Sequence, residues 1–410
     1  MKRYLSTILV FLISATLSFS QTLEDYLTVA AENNPGLKAK FKEYEAALQR
    51  VPQVSGLPDP AFSFGYFVSP AETRSGPQRA KFSLVQMFPW FGTLKAQGDV
   101  TTLRAEAIFQ SFIDARNRLY FQVASAYYSL YELKDMIRIE KENLKILESY
   151  KSIATQKFGN GTGSLVDVLR VDIMLEDAQT NLEILEDKEN PLVTNFNTLL
   201  NRPADELVII NDSSITGKIE IDMRKDSLVA ANPTVKAIDL EFQAGKLAEI
   251  AAKKQGLPKL GLGLDYVIVG ERNDLTMPDN GKDILMPMVS VTIPIFRQKY
   301  NSAVKEARLR QESSLHQKEE IANRLISNYE LTRFEVTQQQ QLLSLYKKQI
   351  HTSQQSLNLL FTSYANSGNA FEEVLRMQQQ ILKYQKLSAT AMSQYQTAVA
   401  RINYLTSKSY

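Results

Sequence analysis

The sequence predicts a mainly α-helical chain with membrane β-structure, built twice over. Each copy carries a long coiled-coil helix and a strand hairpin. Three observations predict this. Short stretches recur in the same order about 200 residues apart. Two segments of about 64 residues carry an apolar helical period, and four runs of about nine residues alternate in period two.

The recurrence sets the organisation. Glu32-Asn33-Asn34-Pro35-Gly36-Leu37-Lys38-Ala39 resembles Ala230-Ala231-Asn232-Pro233-Thr234-Val235-Lys236-Ala237. Gly56-Leu57-Pro58 returns as Gly256-Leu257-Pro258, and Phe88-Pro89-Trp90-Phe91 as Ile293-Pro294-Ile295-Phe296. Phe158-Gly159-Asn160 and Val168-Leu169 return as Tyr364-Ala365-Asn366 and Val374-Leu375. This period is far too long for a solenoid, so one structural half has been copied once. The expected divisions are a signal peptide at 1–20, a first repeat at 21–201 with a hairpin at 61–88, a linker at 202–223 with a β-prone stretch at Leu207 to Ile210, and a second repeat at 224–410 with a hairpin at 259–294.

Each repeat opens with a helix, over Thr22 to Val51 and Arg224 to Gln255. The long helices follow the strands, over Leu94 to Lys157 and Lys299 to Ser363. Tyr329, Val336, Leu343, Ile350, Leu357 and Tyr364 are spaced by seven, with Tyr346 and Leu360 beside them. The first repeat matches with Val123, Leu130, Ile137, Leu144 and Phe158, interrupted by Lys151. This is a coiled-coil seam. A helix of 64 residues spans about 96 Å, so it cannot be buried in one compact core and the chain is expected to be elongated. Gly/Asn turns lead into final helices at Leu165 to Asn201 and Phe371 to Leu405. Gly159, Gly161, Gly163 and Gly368 permit the positive φ that reverses antiparallel helices.

The strands pair bulky with small residues. Phe62, Phe64, Tyr66 and Val68 share a face opposite Ala61, Ser63 and Gly65, and Ala80, Phe82, Leu84 and Phe88 line one side of the return run. Leu260, Leu262, Leu264, Tyr266 and Ile268 alternate with Lys259, Gly261, Gly263 and Asp265, and the run to Ile293 places Leu285, Val289, Val291 and Ile293 together. Polar loops are expected at Ser69 to Gln78 and Gly270 to Lys282. Runs of nine or ten residues suit a tilted membrane strand, and a soluble sheet on a core remains the alternative. Four strands cannot close a barrel, and an open edge is not tolerated in lipid. Three chains would supply twelve strands.

Composition removes other classes. Forty-seven Lys and Arg face 45 Asp and Glu for a net charge of +2, which excludes a strongly basic nucleic-acid binder or an acidic tail. There is no Cys, so disulfides, iron–sulfur sites and thiol nucleophiles are out. His316 and His351 have no paired ligand at i+4 and are expected on the surface. Met277, Met286 and Met288 suggest barrel packing more than soft-metal handling. No catalytic, cofactor-binding or metal constellation is evident, so no enzyme is expected. At the N-terminus, Lys2 and Arg3, an apolar run from Tyr4 to Leu17 and Ser18-Phe19-Ser20 have the pattern of a signal peptide cut before Gln21. With no Cys after the apolar run, the exported chain is not expected to be a lipoprotein.

The ordered set of features resembles the TolC-like outer membrane efflux protein family, the outer membrane factors of tripartite efflux systems. The resemblance covers essentially the whole chain after the leader. It is carried by the duplicated helix order, by Phe158-Gly159-Asn160-Gly161-Thr162-Gly163-Ser164-Leu165-Val166-Asp167-Val168-Leu169, by Tyr364-Ala365-Asn366-Ser367-Gly368-Asn369-Ala370-Phe371-Glu372-Glu373-Val374-Leu375, and by Leu57-Pro58-Asp59-Pro60 and Phe88-Pro89-Trp90-Phe91-Gly92. It implies a homotrimer with a 12-stranded outer-membrane β-barrel and a periplasmic helical tunnel. It further implies passive export, driven by an inner-membrane pump of RND or ABC type joined through a periplasmic adaptor, a membrane fusion protein. Outer-membrane lipid is then a partner and nucleic acid is not. The alternative function is an exported coiled-coil scaffold or adhesin without channel activity, which leaves the hairpins unexplained.

The resemblance assigns roles by position. Asn160, Gly161, Thr162, Gly163, Ser164 and Asn366, Ser367, Gly368, Asn369 correspond to adaptor-docking turns at the closed tip. Glu373 matches an acidic aperture position, with Glu372 beside it and Asp167 its repeat counterpart. The second acidic position holds Arg376, a departure from the pattern. Charge at a helix N-terminus is the plain alternative, worth about 0.3–1 kcal/mol. Tyr66, Trp90 and Phe91 are membrane-interface candidates, with simple packing as their alternative. The exported substrate is not legible.

Overall fold

A computed structural model of the chain describes residues 22–210, 225–274, 278–367 and 371–408. The leader, most of the linker, Met277 and Gly368 to Ala370 lie outside the described residues. The fold is mainly helical with one antiparallel sheet. Its elements are α1 (Leu23–Asn33), α2 (Pro35–Ser55), β1 (Ala61–Thr73), β2 (Gly76–Phe88), α3 (Thr93–Gly159), α4 (Leu165–Asp187), α5 (Glu189–Leu200), α6 (Lys225–Ala231), α7 (Pro233–Gln255), β3 (Lys259–Val269), β4 (Ile284–Thr292), α8 (Gln298–Ser367) and α9 (Phe371–Thr406). The long helices α3 and α8, of 67 and 70 residues, contribute to both of two units. A helical unit collects residues 1–39, 114–232 and 324–410, and a sheet unit collects 40–113 and 233–323.

Proline divides helices that the sequence analysis ran together. The opening helix of each repeat breaks at its Asn-Pro, giving α1 and α2, then α6 and α7. A residue before proline is driven out of the α region, and Asn34 sits at φ −59°, ψ 121°. Its side chain then accepts from the Leu37 N–H at 3.1 Å and donates to the Leu199 carbonyl at 2.9 Å. The helix expected over Leu165 to Asn201 likewise breaks at Lys188. Pro191 lacks an N–H, and in a continuous helix its ring would clash with the Asp187 carbonyl. No proline falls in α9, which runs unbroken for 36 residues.

In the helical unit α1 starts on a capping box between Thr22 and Asp25. Its buried Tyr26 meets Phe196 edge-on, with ring centres 5.0 Å apart. The Tyr26 hydroxyl accepts from the Ile209 N–H at 2.9 Å, which holds the β-prone stretch in place. One core cluster joins Leu228, Leu325, Tyr329 and Val336 to the C-terminal half of α9. A second joins Leu147, Tyr150 and Ala154 to Val171, Leu357, Tyr364 and Phe371.

The predicted seam drifts. Val123 and Leu130 are buried, Ile137 and Leu144 are half-buried, and Lys151 and Phe158 are exposed. The buried column passes instead to Glu140, Leu147 and Ala154. A straight helix lags a strict seven-residue repeat by about 20° per heptad, so five heptads turn the first column off the core. In the second repeat Tyr329, Val336, Leu357 and Tyr364 are buried, while Leu343 and Ile350 are half-buried.

In the sheet unit all four strands pair antiparallel in the order β1-β2-β3-β4, so β2 of the first hairpin meets β3 of the second. The first loop is shorter than expected. Strands β1 and β2 continue to a tight turn between Thr73 and Gly76, where Gly76 takes φ 128°. Register slips between Tyr66 and Ala71, where Pro70 has no N–H to give the ladder. The second hairpin follows the expected loop, which is tied to the first by Gly270 N–H to Pro77 and Gly281 N–H to Ser75, both at 2.7 Å.

Candidate functional site

Two sets of residues are candidates for a functional role, one in each unit. The first is the tip of the helical unit. Helix α3 ends in a Schellman turn, in which Thr162 N–H reaches the Lys157 carbonyl at 2.9 Å and Gly161 N–H reaches Phe158 at 3.0 Å. Gly161 supplies the left-handed step at φ 70°. Gly159 and Gly163 do not take positive φ, contrary to expectation. Gly159 closes the helix, and Gly163 provides space: a Cβ there would lie 2.9 Å from the Lys157 Cβ. Ser164 caps α4 by accepting from Val166 N–H at 3.1 Å.

The expected turn residues divide. Asn160 to Ser164 form the first turn, whereas Asn366 and Ser367 still belong to α8. Gly368 and Asn369 lie outside the described residues. Inside the tip, Tyr364 stacks on Phe371 at 4.5 Å, and the Lys157 ammonium lies over the Tyr364 ring at 4.5 Å while donating to its carbonyl at 2.9 Å. Burial, then the nearby Asp167 charge, pushes the Tyr364 phenol above its usual range.

Each tip carboxylate faces an arginine. Arg170 of α4 bonds Glu372 of α9 at 3.0 Å and stands 3.9 Å from Asp167. Glu373 pairs with Arg376 on its own helix. Two of the acids named from the sequence, Asp167 and Glu372, are thus joined by Arg170, which sequence reasoning passed over. The signal was present: Asp167-Arg170 and Glu373-Arg376 are the same i,i+3 pair in the two repeats. Apart from half-buried Asp167 these groups are largely exposed, and exposed pairs are worth about 0–1 kcal/mol each. They suit a contact that forms and breaks.

The second set is the sheet. Register places Phe62, Phe64, Phe82, Leu84, Leu262, Leu264, Tyr266, Leu285, Val289 and Val291 on one face. Apart from half-buried Phe82 they are large and exposed. The opposite face holds Ser63, Gly65, Lys81, Ser83, Gly261, Gly263 and Asp265. Asp265 is fully covered there, held by the Ser83 hydroxyl and by Lys81 at 2.5 Å. This cross-strand pair sits where the two hairpins meet. Met286 and Met288 lie on this same face. Among the described residues the outer edges of β1 and β4 have no partner strand.

The strand-to-helix junctions of the sheet unit carry exposed apolar side chains. Trp90 and Phe91 lie edge to face at 6.1 Å, with Lys254 donating to the Phe91 carbonyl at 3.2 Å. Their repeat counterparts Ile295 and Phe296 are still more exposed, and the internal match with Trp90 and Phe91 was the signal for them. Tyr66 is exposed on the apolar face of β1. His316 and His351 are exposed. No helix among the described residues is long and apolar enough to cross a membrane.

Residues 26–199 match the sequence model of a family described as outer membrane efflux protein. No curated protein matches the chain. Solved structures match it nearly end to end. The outer membrane protein VceC of Vibrio cholerae is 14% identical with a TM-score of 0.75, covering 94% of this chain and 95% of that one. The CmeC outer membrane channel of Campylobacter jejuni is 16% identical with a TM-score of 0.72, covering 94% and 85%. The open-state MtrE outer membrane channel of Neisseria gonorrhoeae is 15% identical with a TM-score of 0.72, covering 94% and 88%. At such identities the likeness is one of fold.

Proposed function

We propose that the chain, whose residues 26–199 match the outer membrane efflux protein model, is the outer-membrane duct of a tripartite efflux system. One observation carries the reading: among the described residues, a four-stranded sheet with one face of exposed bulky apolar side chains, an opposite face where Lys81, Ser83 and Asp265 sit among glycines, valines and methionines, and two unpaired edges. Lipid accepts the first face and water the second, and the edges require further strands. Three chains close a twelve-stranded barrel, with Lys81 and Asp265 turned to its lumen. Trp90, Phe91, Ile295 and Phe296 form the belt at the membrane interface. Solutes cross passively, and the driving energy comes from an inner-membrane pump of RND or ABC type through a periplasmic adaptor. The turn at Asn160 to Ser164 is the adaptor's docking point in the first repeat, and the segment around Asn366 to Asn369 is its counterpart.

The tip charges are a latch more than a filter. Arg170 ties α4 to α9 across the two repeats, so parting these helices opens the aperture. With Asp167, Glu372 and Glu373 each facing an arginine, the closed tip favours cations less than bare carboxylates would. The test is single-channel current in a planar bilayer, on protein whose mass in detergent is three chains. Small steps from that species support the duct. A monomer without current returns the chain to the scaffold reading.

A further inference from the structure

The helical unit leaves two apolar stripes uncovered. On α8, residues 331, 334, 338, 341, 345, 348, 352, 355, 359 and 362 alternate three and four apart, and all are exposed. That spacing is the seam of a coiled coil. Leu331, Phe334, Leu345 and Leu359 lie on it, Leu359 with 75% of its surface open. The exposed stripe beside it is polar, with Arg333, Thr337, Gln340, Ser344, Lys347 and His351. A helix surface that met only water would not sort its side chains in this way. On α4, Val166, Leu169, Ile173 and Ile184 form the second stripe, Ile173 with 61% of its surface open. The two helices also differ in charge. Helix α4 carries seven acids against Arg170 alone. From 336 to 367, α8 carries Lys347, Lys348 and no acid. Among the described residues, Glu183, Asp187, Lys347 and Lys348 enter no ion pair.

We infer that these stripes pack on each other between copies of the chain, α4 of one copy against α8 of the next. On the duct reading, on which this rests, the copies surround an axis that runs along the helices. The two stripes are different surfaces, so the contact is heterologous, and such a contact closes into a ring when its rotation allows. Helix α3 sets the register. Lys151 bonds Asp172 of α4 at 2.6 Å, and Tyr150 stacks on Phe361 of α8 at 5.7 Å, so 172 and 361 stand at about one level. Lys141 bonds Glu186, so α4 runs against α3, while Lys157 reaches the Tyr364 carbonyl, so α8 runs with it. Both helices rise equally per residue. Ile173 therefore falls level with Leu359, and Thr180 with Thr352. Glu183 and Asp187 come within a turn of Lys347 and Lys348. Opposite charge then favours α4 against α8 and disfavours α4 against a second α4.

The chain has no Cys, so disulfide trapping reads this contact directly. Ile173→Cys and Leu359→Cys are combined in the full chain, which is purified in detergent, oxidised and run on non-reducing denaturing gels. A three-chain product is expected from the pair, and none from either single variant. Lys347→Glu with Lys348→Glu should cut the yield severalfold, and adding Glu183→Lys with Asp187→Lys should restore it. All four positions are exposed, and helical circular dichroism checks the fold of each variant. Single-chain product alone, equal product from a single variant, or a yield indifferent to charge reversal overturns the seam. Failure of the seam and failure of the duct are separable. Protein of three-chain mass that conducts but is not trapped sinks the seam and leaves the duct. A trapped three-chain ring that passes no current keeps the seam and sinks the duct.

Discussion

Arg170 joins the two repeats at their tip, and it is the residue whose replacement is most informative. Arg170→Glu turns one attraction to Glu372 into a repulsion and leaves Asp167 uncompensated. Single-channel conductance is expected to rise severalfold, while Arg170→Lys retains most of the closed behaviour. Unchanged conductance in the Glu variant would remove the latch. Gly161→Ala forces a side chain into the left-handed region, at a cost of about 1–2 kcal/mol, and faster amide exchange over 157–165 should report it. Glu249 offers a pH test inside the sheet unit. Bonds from Lys253, then Arg308 and Gln311, lower its carboxyl from 4.5 to about 2. A depressed carboxyl stabilises the fold above its unfolded value. That stabilisation is lost as pH falls through the window from about 4.5 to about 2. Wild type should therefore lose stability against Glu249→Gln across this window, and parallel curves of unfolding midpoint against pH would refute the assignment. Among these residues the sequence named Asp167 and Gly161 but neither Arg170 nor Glu249. A charged side chain on a helix announces its spacing to neighbours on its own helix, not the partner that another helix brings.

At the scale of elements, alternation made the strands legible and recurrence made the long helices legible. Their ends were less so. The Asn-Pro pairs were used as a mark of duplication, although each is also a helix stop. Pro191 was likewise in view, and it divides α4 from α5. Pro191→Ala should let the two helices fuse, raising amide protection over 186–190 and slightly raising helical circular dichroism. A proline-free helix that still exchanges fast at Lys188 would place the cause elsewhere. The seam followed a strict period of seven, while the helix itself turns at 3.6, so the buried column moved to Glu140 and Leu147. The same limit hid the Lys81–Asp265 bond. Alternation placed Asp265 on the small face, but only the β2–β3 register brings Lys81 to it. Lys81→Met leaves the covered Asp265 without its cation and should cost at least ~1 kcal/mol, read from the heat needed to lose the folded band in detergent gels.

For the whole molecule, the sheet face and the duplicated plan were readable from residues alone. The proposed number of chains rests on counting strands. The pairing of the repeats at β2 and β3 is settled by register, which no single strand carries. Cross-linking in native membranes should give species of one, two and three chains and none beyond. A ladder continuing past three would exclude the closed barrel.

The unpaired edges of β1 and β4 also have a genetic consequence. If no chain can finish its own wall, a defect confined to one edge spoils every assembly it joins. A cell making equal amounts of normal chain and an edge-blocked chain would build only about one in eight assemblies from normal copies alone. Such an allele should act dominantly, and its severity should rise steeply with its share of expression. A null allele of the same gene should be recessive.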